Sequence, residues 1–148
     1  MKIHTSVHSY YISTLHRGRY MLLIFLGITL IAGLLAFTPL QEVVKILITL
    51  FAIPLVIFGA VRYSRVPSQW SLDDHNLTIQ KLEKVVSIPL SNISHIRNLR
   101  RSGGNLLIIY QRRGHSYRFW RNKLFQNEDQ LQSFIEAVQE HNIEYYNM

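Results

Sequence analysis

The part of the chain that decides the fold is MLLIFLGITLIAGLLAF (Met21–Phe37), followed closely by VVKILITLFAIPLVIFGAV (Val43–Val61). The residues Thr-Pro-Leu-Gln-Glu at 38–42 separate the two apolar stretches. Each stretch has about the length, roughly 17–25 residues, that an α-helix needs to cross a bilayer. Because so short a connection cannot return the chain across a membrane, the sequence predicts two antiparallel transmembrane helices, a hairpin that occupies residues 20–62.

Basic residues flank this hairpin on both sides. They are Lys2, Arg17 and Arg19 before it and Arg62 and Arg65 after it. The connection between the two stretches carries only Glu42, with Lys45 just inside the second stretch. Since Lys and Arg are enriched in cytoplasmic flanks, the charge pattern predicts that both termini are cytoplasmic.

The sequence divides into three parts. Residues 1–19 form a polar cytoplasmic arm, residues 20–62 form the hairpin, and residues 63–148 form a soluble domain that begins with a Pro67-containing linker at 63–69. The chain contains no cysteine, which excludes disulfides, thiolate catalysis and cysteine-ligated metals.

The soluble domain has the pattern of several strands followed by one helix. Apolar and polar residues alternate at 77–82 and 116–120, as in half-buried strands, and Leu106–Tyr110 is a denser apolar run typical of a central strand. Shorter strand-like segments lie at 70–72, 85–88 and 93–96. We therefore expect five or six antiparallel strands that form a small barrel or curled sheet.

The C-terminal part has helical rather than alternating periodicity. Four apolar residues fall on one helical face: Leu131, Phe134, Ile135 and Val138. Asn127 is a good N-cap, and Glu128 and Asp129 lie where the helix dipole favours acids. The predicted helix runs from about Glu128 to His141 and packs against the sheet. The fold class is α+β.

Residues 1–12 of the arm also alternate in part. Because both ends of the hairpin are expected on one side, we hypothesise that this arm adds a strand to an exposed edge of the sheet. A frayed terminus is the alternative interpretation.

Three segments carry a resemblance to a known family. They are WSLDDHNLTIQK at 70–81, VSIPLSNISHI at 86–96 and GNLLIIY at 104–110, ahead of an Asn127-led helix. The sequence resembles the bacterial pleckstrin-homology-like (PH-like) domains, and in particular the YcxB-like membrane proteins, in which two transmembrane helices precede such a domain. The resemblance implies a PH-like barrel with a C-terminal helix at the cytoplasmic face of the bacterial inner membrane, and it implies no catalytic residues.

Charge is segregated within the soluble domain. Between Lys84 and Lys123 there are nine Lys and Arg residues and no acid, whereas Glu128–Glu144 contains five acids and no Lys or Arg. Candidate residues for binding anionic lipid headgroups or an acidic partner are Arg97, Arg100, Arg101, Arg112 and Arg113. The alternative interpretation is a solvated surface on which some arginines pair with the acidic helix.

These features predict a non-catalytic inner-membrane protein whose PH-like module binds protein or anionic lipid. Its expected partners are the bilayer itself, anionic headgroups, a membrane-protein partner or further copies of the chain. No cofactor, metal site or nucleic-acid partner is expected, since the histidines are scattered and no phosphate loop or nucleophile motif occurs. Alternative functions are immunity or inhibition against a membrane-active toxin, or an accessory subunit of a transporter or envelope complex.

Overall fold

The computed structural model describes residues 7–101, 103–123 and 129–148. The chain forms two compact units. Residues 15–65 make up a helical unit, and the chain up to Thr14 together with Val66–Met148 makes up a sheet unit. The helical unit is therefore an insertion in the sequence of the sheet unit.

The helical unit contains two long apolar helices, as the sequence predicts. Helix α1 (Arg17–Phe37) has 21 residues and α2 (Glu42–Ser64) has 23, and both are long and apolar enough to cross a membrane. The two helices approach closely at Gly27, where an added Cβ would lie 2.6 Å from Cγ1 of Val56. At their open ends, the backbone N–H of His16 donates a 2.9 Å hydrogen bond to the carbonyl of Ser64.

Among the described residues, the sheet unit contains eight strands and one further α-helix. The strands are β1 (His8–Leu15), β2 (Arg65–Leu72), β3 (Asn76–Lys81), β4 (Lys84–Pro89), β5 (Ile93–Arg101), β6 (Gly104–Gln111), β7 (Tyr117–Asn122) and β8 (Glu144–Asn147). A single 3₁₀ turn joins β4 to β5, and helix α3 (Leu131–Glu140) lies between β7 and β8. Alternating apolar residues place one face of β3 in the core, whereas residues 105–109 of β6 are buried on both faces.

The strands form one mostly antiparallel sheet in the order β4-β3-β2-β1-β7-β6-β5-β8. Strand β8 is the exception, since it pairs with β5 in parallel. In the described part of the chain β4 and β8 are the two ends of this order, so the sheet is not the closed barrel that was one of the two expected forms.

Strand β1 comes from the N-terminal arm and lies inside the sheet, between β2 and β7. The Thr14 hydroxyl donates to the carbonyl of Val66, and the Ser68 hydroxyl donates to the carbonyl of Ile12. The two bonds join residue 14 to 66 and residue 12 to 68, which is the register of antiparallel neighbours. The arm adds a strand to the sheet, as hypothesised, but it lies in the interior and not at an edge, so that β1 joins β2–β4 to β5–β8.

The core lies between the sheet and α3. Trp70 is fully buried and packs edge-on against Phe119 and Phe134, with ring centroids 4.9 and 5.0 Å away. The apolar face predicted for the C-terminal helix is confirmed, because Leu131, Phe134, Ile135 and Val138 are all buried. Burying such side chains contributes roughly 1.5–3 kcal/mol each, so this face holds α3 on the sheet.

Several element boundaries differ from the expectation. The segment 63–69 is no linker, because α2 ends at Ser64 and β2 begins at Arg65. Strand β8 was not expected. Helix α3 begins at Leu131 rather than near Glu128, and its expected cap, Asn127, lies outside the described residues together with Glu128.

Candidate binding surfaces

The five arginines predicted to bind anions lie at three separate places. Arg97 and Arg101 extend from one face of β5, and Arg100 extends from the other face. Arg112 and Arg113 lie in the β6–β7 turn, where Asn92 holds the backbone by bonding the Arg113 N–H and carbonyl. Strand β6 has eight residues, so at roughly 3.4 Å per residue its ends lie about 24 Å apart.

The side of β5–β8 opposite the cluster packed against α3 carries an outer sheet face, on which Leu106 and Ile108 are themselves buried. Strand pairing aligns Arg97 with Ile108, and Ile108 with Arg118 on β7. The next rows align His95 with Tyr110, and Leu99 with Leu106 and Trp120. We define the outer sheet face by these residues together with Tyr146, which pairs with Arg97 on β8: His95, Arg97, Leu99, Leu106, Ile108, Tyr110, Arg118, Trp120 and Tyr146.

Aromatic rings hold the Arg97 side chain on this face. Its guanidinium carbon lies 5.3 Å from the centroid of the Tyr110 ring, a cation–π distance. Tyr110 stacks in turn on His95 at 4.5 Å, and Tyr146 meets His95 edge-on at 5.7 Å. The Arg97 guanidinium therefore packs against an aromatic cluster on the outer sheet face.

The outer sheet face carries both basic and acidic groups, without a close ion pair to its arginines among the described residues. In the described part of the chain, neither Arg97 nor Arg118 forms an ion pair within 4 Å. Glu144 also lies on this face, next to His95 on the neighbouring strand, and there it accepts a 2.7 Å hydrogen bond from the Tyr146 hydroxyl. This contact and the charge of Glu144 raise the pKa of Tyr146 above its ordinary value.

A second feature, which we call the polar groove, lies on the opposite face of the sheet beside α3 and has a volume of about 600 Å³. It is lined by Asn98, Asn105, Arg121, Lys123, Asp129, Leu131, Gln132, Ile135, Gln139, Tyr145 and Asn147. Asn105 pairs across the strands with Arg121, and on its other side with Arg100. On the core-facing side of these strands, polar side chains thus take the place of apolar ones where the apolar core ends.

The floor of the polar groove contains buried polar atoms without partners. Asn98, Asn105 and Arg121 are only 6%, 3% and 8% exposed. Among the described residues, no hydrogen bond reaches Oδ1 of Asn98, Oδ1 of Asn105 or Nε of Arg121. A buried polar group left unsatisfied costs about 1–3 kcal/mol, so the arrangement is unfavourable for stability alone.

One buried ion pair borders the polar groove. Nη2 of Arg121 lies 2.6 Å from Oδ2 of Asp129, with both side chains almost completely buried. Asp129 also accepts hydrogen bonds from the backbone N–H groups of Ser13 and, more weakly, Leu131. The pair therefore ties β7 and β1 to the start of α3, in agreement with the expectation that some arginines pair with the acidic helix.

Tyr145 lies on the β8 side of the polar groove. Burial raises the pKa of its phenol, while the nearby Asn98 amide and the Arg121 charge act in the opposite direction. The net direction is upward, so the neutral phenol is the form that the fold favours.

The sequence named Arg97 as a candidate, but it did not indicate the polar groove or the position of Arg118 beside Ile108. A signal for the groove was present, because Asn98 falls two residues after the buried Ile96 on the same strand face. An inward-facing polar residue at such a position is unusual and indicates a bonded or binding side chain. Which strands flank β5 and β6 could not be read from that alternation.

Comparisons with known proteins identify no family and a weak structural similarity. No family model matches the sequence, and no curated protein matches it significantly. Among solved structures, the Spt16D Pob3N heterodimer is similar over 55% of this chain and 46% of that one, with 17% identity and a TM-score of 0.41. A similarity at this level is too weak to support an argument about function.

Proposed function

We propose that this chain is a non-catalytic, membrane-anchored PH-like module whose outer sheet face binds anionic lipid headgroups at the cytoplasmic surface of the inner membrane. The observation that carries the proposal is the pair Arg97 and Arg118, which form no close ion pair with a described acid and share their face with Tyr110, Trp120 and Tyr146. Each basic residue near an anionic leaflet contributes roughly 1 kcal/mol. Tyr and Trp favour the same interfacial zone.

The membrane anchor is supported by two independent features. Helices α1 and α2 are long and apolar enough to span a bilayer. They are inserted between β1 and β2, which are hydrogen-bonded neighbours in one sheet. If the helices span, the two ends of the hairpin must emerge on the same side as that sheet, and the basic flanks favour the cytoplasmic side.

Cysteine labelling tests the anchor, since the native chain contains no cysteine. Tyr11→Cys on β1 and Leu82→Cys after β3 should react with an impermeant maleimide only in inverted vesicles, because both side chains are exposed. Leu40→Cys, in the helix connection, should react only in spheroplasts. Labelling of residues 11 and 82 from opposite sides would contradict the anchor.

Tryptophan quenching tests the lipid contact in the full chain. In nanodiscs that contain brominated phosphatidylglycerol, Trp120 should be quenched, while Trp70 is buried in the core; the Trp120→Phe variant separates the two signals. Quenching should fall with added salt, because screening shortens the range of the attraction to about 8 Å at physiological ionic strength. A double Arg97→Glu, Arg118→Glu variant should abolish it.

The matched control is Arg112→Glu, Arg113→Glu, which changes the same charge in the β6–β7 turn. Quenching should be largely retained in this variant. Equal loss in both variants would mean that net charge, and not the outer sheet face, determines the contact. Quenching that does not depend on salt would overturn the proposal. Loss of Trp120 quenching when a soluble protein is added would indicate that the outer sheet face binds a protein partner and not lipid.

A further inference from the structure

In the described part of the chain, the polar groove contains buried polar groups that the proposed lipid contact does not involve. Asn98, Asn105 and Arg121 are more than nine-tenths buried, and each has a polar atom without a hydrogen-bond partner. All three line one groove of about 600 Å³. This volume lies within the roughly 300–1,000 Å³ that small-molecule sites usually have.

Side-chain amides dominate the lining of the groove. Asn98, Asn105, Gln132, Gln139 and Asn147 contribute five of them, beside the Tyr145 hydroxyl. The charges in the floor neutralise each other, since Arg121 and Asp129 are paired at 2.6 Å. The lining therefore offers many neutral donors and acceptors and little net charge except Lys123 at the exposed rim.

We infer that the polar groove binds an uncharged polyhydroxylated molecule, a sugar or polyol in chemical class. A hydroxyl group both donates and accepts, so one ligand can donate to Oδ1 of Asn98 or Asn105 and accept from Nε of Arg121. Leu131 and Ile135 on α3 add an apolar wall against which the C–H groups of a sugar ring pack. This site is separate from the outer sheet face.

Saturation-transfer NMR on the full chain in nanodiscs tests the inference, with glucose, maltose and glycerol as probes. Glycosidic detergents are avoided because their headgroups are themselves sugars. At least one probe should bind, and added salt should leave its affinity unchanged. Failure of all three probes to bind overturns the inference.

Asn105→Leu is the decisive variant, because it removes the unpaired buried oxygen while keeping a similar size. Binding should weaken about tenfold or more, as expected when one buried hydrogen bond is lost. Stability should stay equal or rise, since an unsatisfied polar group becomes apolar. A purely structural role predicts the opposite, namely lower stability. Asn98→Leu provides a second test should Asn105→Leu misfold.

Lys84→Gln, an exposed basic residue on β4 that does not line the groove, is the matched control for charge and should leave probe affinity unchanged. Lys123→Gln instead tests the charge at the rim of the groove. If glucose 6-phosphate binds more strongly than glucose, and Lys123→Gln removes the difference, the ligand of the groove is an anion. If acetyl-triglycine amide binds and none of the sugars does, the ligand is a peptide. Either result overturns the inference without affecting the outer sheet face.

Discussion

The hydroxyl of Thr14 donates a 2.9 Å hydrogen bond to the backbone carbonyl of Val66, across 52 positions of the sequence. All of the helical unit lies between these two residues. The sheet therefore takes an interior strand from before the hairpin and all its other strands from after it. Strand β1 therefore cannot have both of its neighbours until β7 has been synthesised, because β7 is the other neighbour of β1.

Ile12→Ala tests whether β1 is an integral part of the core. Ile12 is fully buried, and removing its side-chain methylenes should lower the free energy of unfolding by about 2–5 kcal/mol. Trp70 and Trp120 both lie in the sheet unit, so denaturant unfolding followed by tryptophan fluorescence measures this unit. The neighbouring Tyr11→Ala is the control, because Tyr11 is 61% exposed and should change stability by no more than about 0.5 kcal/mol. Equal effects of the two variants would contradict a buried β1.

The sequence predicted elements whose periodicity agrees with their environment. The apolar face of α3 and the two long helices follow directly from spacing and length. Two misses have physical causes. Pro67 indicated a linker because proline cannot donate to a sheet ladder, yet it lies in β2, which has neighbours on both sides. Strand β8 is short and mostly exposed, so it has no alternation to detect.

The sequence could not predict which arginines share a face of the sheet. The basic segment is visible in composition, but strand pairing decides which arginines share a face. Strand pairing places Arg97 and Arg118 on one face of the sheet, and alternation along β5 places Arg100 on the opposite face. The register shift between Ile93 and His95 adds to this, because it changes the alternation that a sequence pattern would extrapolate from Ile93.

Gly27→Ala should loosen the helical hairpin. The added Cβ would lie 2.6 Å from Cγ1 of Val56, so the helices must separate or shift. Gly33→Ala is the matched control on the same helix, since nothing lies within 4 Å of its Cβ position. It should be neutral or slightly stabilising, because alanine is favoured over glycine in helices by up to about 1 kcal/mol.

Energy transfer between labels at Tyr20→Cys and Arg62→Cys measures hairpin opening as sodium dodecyl sulfate is added. Gly27→Ala should open at a lower detergent concentration than the wild type or Gly33→Ala. A compensating Val56→Ala change should restore part of the loss. If Gly27→Ala and Gly33→Ala behave alike, close packing at Gly27 does not stabilise the hairpin.

Asp129→Ala should destabilise the sheet unit strongly. It leaves the buried Arg121 guanidinium without its counter-charge and removes the acceptor for the Ser13 and Leu131 N–H groups. Removing one partner of a buried pair costs about 3–5 kcal/mol. Glu136→Ala, an exposed carboxylate on α3, serves as control and should change the denaturant midpoint little. A small effect of Asp129→Ala would show that solvent reaches the pair.

Tyr145 gives a pH dependence whose sign follows from its raised pKa. A phenol titrates near pH 10 in an unfolded chain. Because the folded state holds the proton more tightly, the folded state is stabilised below that pH, and the stabilisation is lost as pH rises through the higher folded pKa. The melting temperature of the wild type should therefore fall more steeply above about pH 10 than that of Tyr145→Phe. Tyr10, whose pKa burial and Glu140 also raise, is present in both proteins and cancels in the comparison. Phenolate absorbance of the folded wild type minus that of Tyr145→Phe measures the titration directly, and a midpoint at or below that of free tyrosine would contradict the burial of this phenol beside Asn98.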